Sequence, residues 1–167
     1  MTPHIRVLRD RSYELVDPYS IRWTVDGLRR VLHIPGGYQS DGNSVPWFAR
    51  PWIPGDWTLG IAPVLAHDYL YSHEGRLVPG EYQAEVAEGV WQDPLIVQHQ
   101  GLTRQHSGAH TEHWRHTWTR RDVDRLFARL MREEGVAPWR RRMAYRAVRC
   151  AVWHTWDERP WLWEVDL

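Results

Sequence analysis

Three side chains have the types and placement for acid–base chemistry: His67, Asp68 and Asp124. His67 and Asp68 are neighbours in Pro63-Val64-Leu65-Ala66-His67-Asp68-Tyr69-Leu70-Tyr71, which reads as a short helix. Pro63 falls at a first-turn position, where its missing N–H costs nothing. Val64, Leu65, Leu70 and Tyr71 give the helix an apolar side. Successive helical residues point about 100° apart, so Asp68 is badly placed to bond His67. If both are buried, each needs a partner from elsewhere in the chain. Asp124 is the natural candidate for His67. It falls in the first turn of a second helix, where the dipole favours an anion, and shares a face with Phe127, Ala128 and Met131. A carboxylate on a core-facing stripe needs a donor or a metal. His67 backed by Asp124 would be an oriented imidazole able to take a proton from water, the catalytic pair of a hydrolase. Asp68, pointing elsewhere, and Asp41, near a turn, are candidate ligands for a hard cation such as calcium. The alternative is a satisfied polar cluster that fixes helix register, with Asp41 serving only an Asx turn.

A second group of histidines follows: His99, His106, His110, His113 and His116, with Glu112 nearby. His106, His110 and His113 would share one helical face and could bind zinc. Gly108 and the polar flanks argue against a stable helix there and for a solvated histidine-rich loop.

The elements that must position these groups can be read in order. Short strands are expected at 4–8, 12–16 and 20–25. Ile21 to Val25, then Asp26-Gly27, then Leu28 to Ile34 reads as a β-hairpin with a tight primed turn. Pro35-Gly36-Gly37 ends it, and Tyr38 to Pro46 reads as a last strand entering a loop. The His67 helix ends near Gly75. Within 76–118, Glu81 to Val90 could be helical and Gln92 to Gly108 reads as loop; so long an excursion is an insertion or a functional loop. Thr119-Arg120-Arg121-Asp122 resembles a capping box and opens a helix that stops at Gly135. Its core side reads Val123, Leu126 or Phe127, Leu130 and Met131. Pro138 starts a last helix through about Trp153, with Met143, Ala147 and Val148 inward. Trp153, Trp156, Trp161 and Trp163 close the chain and are expected to pack back on the sheet.

The fold class is therefore α+β: a small N-terminal antiparallel β-sheet followed by three main α-helices, with a long inserted segment. The expectation is a single domain, 1–167, with a β-rich part at 1–45, a helical part at 46–75 and 119–155, and an insertion at 76–118.

Formal net charge is zero over 167 residues, which argues against a general binder of nucleic acid or anionic membrane. No sequence-specific nucleic-acid contact is expected. All 21 basic residues are arginine, and ten crowd the last third, from Arg120 to Arg149. They read as an outward basic face, with a phosphate-bearing partner as the alternative. One cysteine, Cys150, excludes an internal disulfide framework and reads as a buried inert thiol. No stretch reaches the length of a membrane span, and Met1-Thr2-Pro3-His4 lacks the start of a signal peptide. The expected location is the cytoplasm.

Four motifs share an order and spacing that resemble a known family. They are Tyr38-Gln39-Ser40-Asp41 through Ser44-Val45-Pro46, then Ala66-His67-Asp68-Tyr69-Leu70-Tyr71, then Val123-Asp124-Arg125-Leu126-Phe127, then Tyr145-Arg146-Ala147-Val148-Arg149. From about Tyr38 to Arg149 the chain resembles the phage and prophage family labelled domain of unknown function 1353. It departs from that pattern at Gly42-Asn43, at Val123 where alanine is usual, and in the long segment 76–118. The resemblance implies a phage context, with phage structural proteins or an envelope substrate as partners, and no reaction. A weaker similarity is to the phospholipase A2 arrangement. By that analogy His67 is the base, Asp124 orients it, Asp68 binds calcium, and the substrate is a lipid ester. Gly36-Gly37 or Gly42 would have to supply the calcium loop, and the disulfides of the secreted forms are missing.

Overall fold

Asp26 and Gly27 both take positive φ, 52° and 81°, as a tight primed turn requires. The computed structural model describes residues 2–9, 12–40, 58–93 and 116–150. Its elements in chain order are β1 (Ile5–Val7), β2 (Tyr13–Leu15), β3 (Tyr19–Val25), β4 (Leu28–Ile34), β5 (Gln39–Ser40), α1 (Ile61–Ser72), β6 (Arg76–Leu77), β7 (Tyr82–Ala87), β8 (Val90–Gln92), β9 (His116–Thr117), α2 (Arg120–Glu133) and α3 (Pro138–Cys150). The Asp26-Gly27 turn joins β3 to β4 in continuous register, from Tyr19 opposite Ile34 to Val25 opposite Leu28. Alternation along β3 buries Ile21 and Trp23 and leaves Arg22 and Thr24 outside.

The strands form antiparallel sheets in the orders β1-β2-β5, β3-β4-β7-β8 and β6-β9. The expected α+β class holds, but the β-structure is not confined to the N-terminus. Glu81 to Val90, expected to be helical, forms strands β7 and β8. Tyr82 and Ala84 point inward at alternate positions and pair with Leu32 and Arg30 of β4. Glu88-Gly89 makes the turn, with Gly89 at φ 74°. Segment 76–118 therefore contributes strands to the sheets at both its ends.

The helices follow local chemistry more closely. Thr119 caps α2, its side chain accepting from the backbone N–H of Asp122. Gly135, at φ 77°, lies just beyond the helix end. α1 has no side-chain cap of its own. Instead Glu134, at the end of α2, accepts from the N–H of Ala62 at 3.2 Å. Gly60 makes room for that carboxylate, because a Cβ there would collide with Glu134.

α1 is buried without interruption from Pro63 to Leu70, so it runs through the core rather than along it. Leu65, Tyr69 and Leu70 pack with Ile21, Trp23, Leu32 and Ile34 of the sheet and with Val123, Leu126 and Leu130 of α2. Phe127 and Met131 turn to a second cluster with Val64, Ala144, Ala147 and Val148, which docks α3. Met143, expected inward, is only partly buried; Ala144 takes the inward position. The terminal tryptophans and the side chain of Cys150 lie outside the described residues.

Glu85 fastens the β7–β8 hairpin to β4. It accepts from the guanidinium of Arg29 at 2.7 and 3.0 Å, and from the backbone N–H groups of Arg29 and Gly89 at 2.9 and 2.7 Å. These bonds, the Arg29 side chain first, hold its carboxyl down at about 2. A depressed pKa adds stability above the ordinary carboxylate range that is lost as pH falls through about 2. Glu85→Gln should therefore melt below the parent protein at neutral pH, and the gap should close as acid is added. A gap that stayed constant with pH in thermal melts would show that the Glu85 charge holds nothing.

Candidate functional site

Helical spacing assembles the site from two short repeats. His67 and Tyr71 are four residues apart on α1, and Arg120 and Asp124 are four apart on α2, so each pair shares a face. Apolar residues around both faces drive them into the interface between the helices. There the imidazole Nε2 of His67 lies 3.4 Å from Oδ1 of Asp124. Its Nδ1 lies 3.8 Å from Oδ1 of Asp68, too far for a hydrogen bond. The ring stacks on Tyr71 at 4.1 Å and meets Phe127 at 4.8 Å between centroids. His67 is 6% exposed and Asp124 0%.

Asp124 is held from three sides. The phenol of Tyr71 donates to Oδ1 at 2.7 Å, and Arg149 of α3 donates to Oδ2 at 3.3 Å. Arg120 donates to the Tyr71 oxygen at 3.0 Å and to the backbone carbonyl of Val148 at 2.8 Å. One buried carboxylate thus ties α1, α2 and α3 together. Asp68, with one oxygen beside the His67 ring, accepts through the other from Ser40 of β5 at 2.5 Å, which ties α1 to the small sheet.

Burial disfavours a charge on His67, but Asp124 and Asp68 more than offset it, and the ring titrates above an ordinary histidine. Burial first, then the charge of Asp124, pushes the Tyr71 phenol far above its usual range, so Tyr71 remains a donor. The contact between Nε2 and Asp124 is close enough for an ion pair yet off line for a hydrogen bond. No described group hydrogen-bonds that nitrogen.

The structure brings His67, Asp68 and Asp124 together. Asp41, His106, His110 and His113 lie outside the described residues. Among the described residues no three histidine, cysteine, aspartate or glutamate side chains converge to hold a metal ion. Asp68 has a hydroxyl donor and an imidazole beside it instead of further carboxylates. Tyr71, Arg120, Arg149 and Ser40 are members of the site that sequence reasoning missed. The reading of Arg120 as part of an outward basic face is corrected: it is 3% exposed. Its spacing to Asp124, and that of Tyr71 to His67, was the available signal.

Fold and site together define an α+β protein whose three described helices are joined through a buried histidine–aspartate network. The chain belongs to the family described as Protein of unknown function (DUF1353), whose model matches residues 13–148. No curated protein and no solved structure matches the chain. No helix among the described residues is long and apolar enough to cross a membrane.

The raised pKa of His67 has a definite sign in stability. Its contribution is complete below an ordinary histidine pKa of about 6.5 and is lost as pH rises through the folded-state value. The parent protein should therefore outmelt His67→Gln by most near about pH 5, and the margin should shrink as pH rises above about 6.5. A margin that widened with pH would mean that the fold holds the neutral ring.

Proposed function

We propose that this chain is a non-enzymatic assembly or structural component of a phage or prophage particle, and that the His67 cluster locks its helices in register. One observation carries this reading: both ring nitrogens of His67 face carboxylates of the same chain, at 3.4 and 3.8 Å. A general base needs a nitrogen within reach of a water or a substrate. Tyr71 and Phe127 cover the ring, and the oxygens of Asp124 are already engaged by Tyr71 and Arg149. The phage context is supported by the resemblance of the four motifs.

A second reading is favoured by Nε2 of His67, to which no described group is hydrogen-bonded. In that reading a small ring movement turns Nε2 toward a substrate, and the His67–Asp124 dyad hydrolyses an envelope component such as a lipid ester. Asp68 then serves as a further polar contact.

The two readings part on one pair of substitutions. Removing one member of a buried ion pair costs about 3–5 kcal/mol. The structural reading expects His67→Ala and Asp124→Ala each to destabilise the protein on that scale in denaturant melts, and expects no ester turnover by the parent protein on phospholipid vesicles with or without calcium. Turnover that disappears in a fully stable His67→Ala protein would overturn it in favour of the hydrolase.

A further inference from the structure

A cleft of about 830 Å³ opens between β3, β4 and β7 on one side and α2 and α3 on the other, and neither His67 nor Asp124 lines it. Six arginines do: Arg30, Arg125, Arg129, Arg132, Arg141 and Arg142. Among the described residues the cleft has one carboxylate, Asp122, and that group already accepts from the hydroxyl of Thr119 at the α2 cap. Two arginines are anchored to the walls, Arg30 through the carbonyl of Glu85 and Arg129 through the carbonyl of Thr24. The side chains of Arg125, Arg132, Arg141 and Arg142 make no hydrogen bond or ion pair with another described residue. Among the described residues, guanidinium groups outnumber carboxylates six to one around this concavity, and like charges gathered so closely favour an anion among them.

The floor is aromatic. Trp23 stacks on Tyr82 at 6.0 Å, and Trp118 meets both rings edge-on. Tyr145, half-buried on α3, makes no ring contact with another described residue and offers a face to the cleft. Guanidinium forks match phosphate oxygens in pairs, and aromatic faces stack on bases. The size is that of a small-ligand site.

We propose that this cleft binds nucleotide phosphates, with a base lying against Trp118 or Tyr145. The ligand is either a free nucleotide or a short single strand read through its backbone. A net charge of zero does not conflict with this, because six of the 21 arginines gather around one concavity.

The test uses the full chain with two probes, ADP without metal by calorimetry and a fluorescent oligothymidylate by anisotropy. At least one should bind, more weakly as salt rises. Replacing Arg125, Arg132 and Arg142 together with serine should weaken that probe by about tenfold or more, while Arg6→Ser, on β1 outside the cleft, leaves it unchanged. These three side chains lie outside the core, so the melting temperature of the triple variant should hold. Should it fall, Arg142→Ser alone and the salt dependence of the parent protein give the same reading. Binding of ADP alone assigns a free nucleotide; binding of the oligonucleotide alone assigns a strand. Failure of both probes at about 1 mM would overturn the proposal. So would binding indifferent to the arginine replacements, or equal displacement by inorganic phosphate or polyglutamate.

Discussion

A carboxylate with no contact to solvent lies at the junction of three helices, and its compensation sets the rest of the helical packing. Asp124 is buried because α2 presents it on the same face as Phe127 and Met131. An isolated charge there would be prohibitive, so every neighbouring element supplies something to it. α1 brings an imidazole and a phenol, α2 supports the phenol through Arg120, and α3 brings Arg149. Such a network constrains the angle and register of helices more sharply than apolar contacts do, because a shift of one residue would break several partners together.

The same logic recurs at smaller scale across the fold. Glu134 caps α1 from the end of α2, and Glu85 fastens the second hairpin to the first. Asp68 is held by Ser40 at the edge of the three-stranded sheet. Each is an acidic group fixed by a donor distant in sequence, and each joins elements that hydrophobic burial alone would leave free to slide. Six arginines are gathered elsewhere, around the aromatic cleft. The chain thus uses its carboxylates to set its own architecture and leaves a cationic concavity facing outward.

Where local chemistry decides structure, the sequence could be read directly. Asp26-Gly27 dictates its hairpin, Thr119 its cap, and Gly135 marks the end of α2. The approach of His67 to Asp124 was legible too, since each is a polar residue on an otherwise apolar helix face. Glu81 to Val90 was not. Its alanine and glutamate residues suit a helix, and only pairing of Tyr82 and Ala84 against β4 makes it a strand. The outer members of the site were missed for a related reason. Arginine is read as a surface residue by default, yet Arg120 is buried because a phenol and a backbone carbonyl await it. What each group does within the site depends on orientation, which spacing does not encode.

The central claim is that the His67 ring is held between carboxylates as part of the architecture. Its titration, followed by NMR of the ring nitrogens in the parent protein and in Asp124→Asn, tests that most directly. The expected midpoint lies above the ordinary 6.5 and drops when the Asp124 charge is removed. A midpoint below 6.5, or one indifferent to Asp124→Asn, would show that no such pairing exists and that the helices are held by other means.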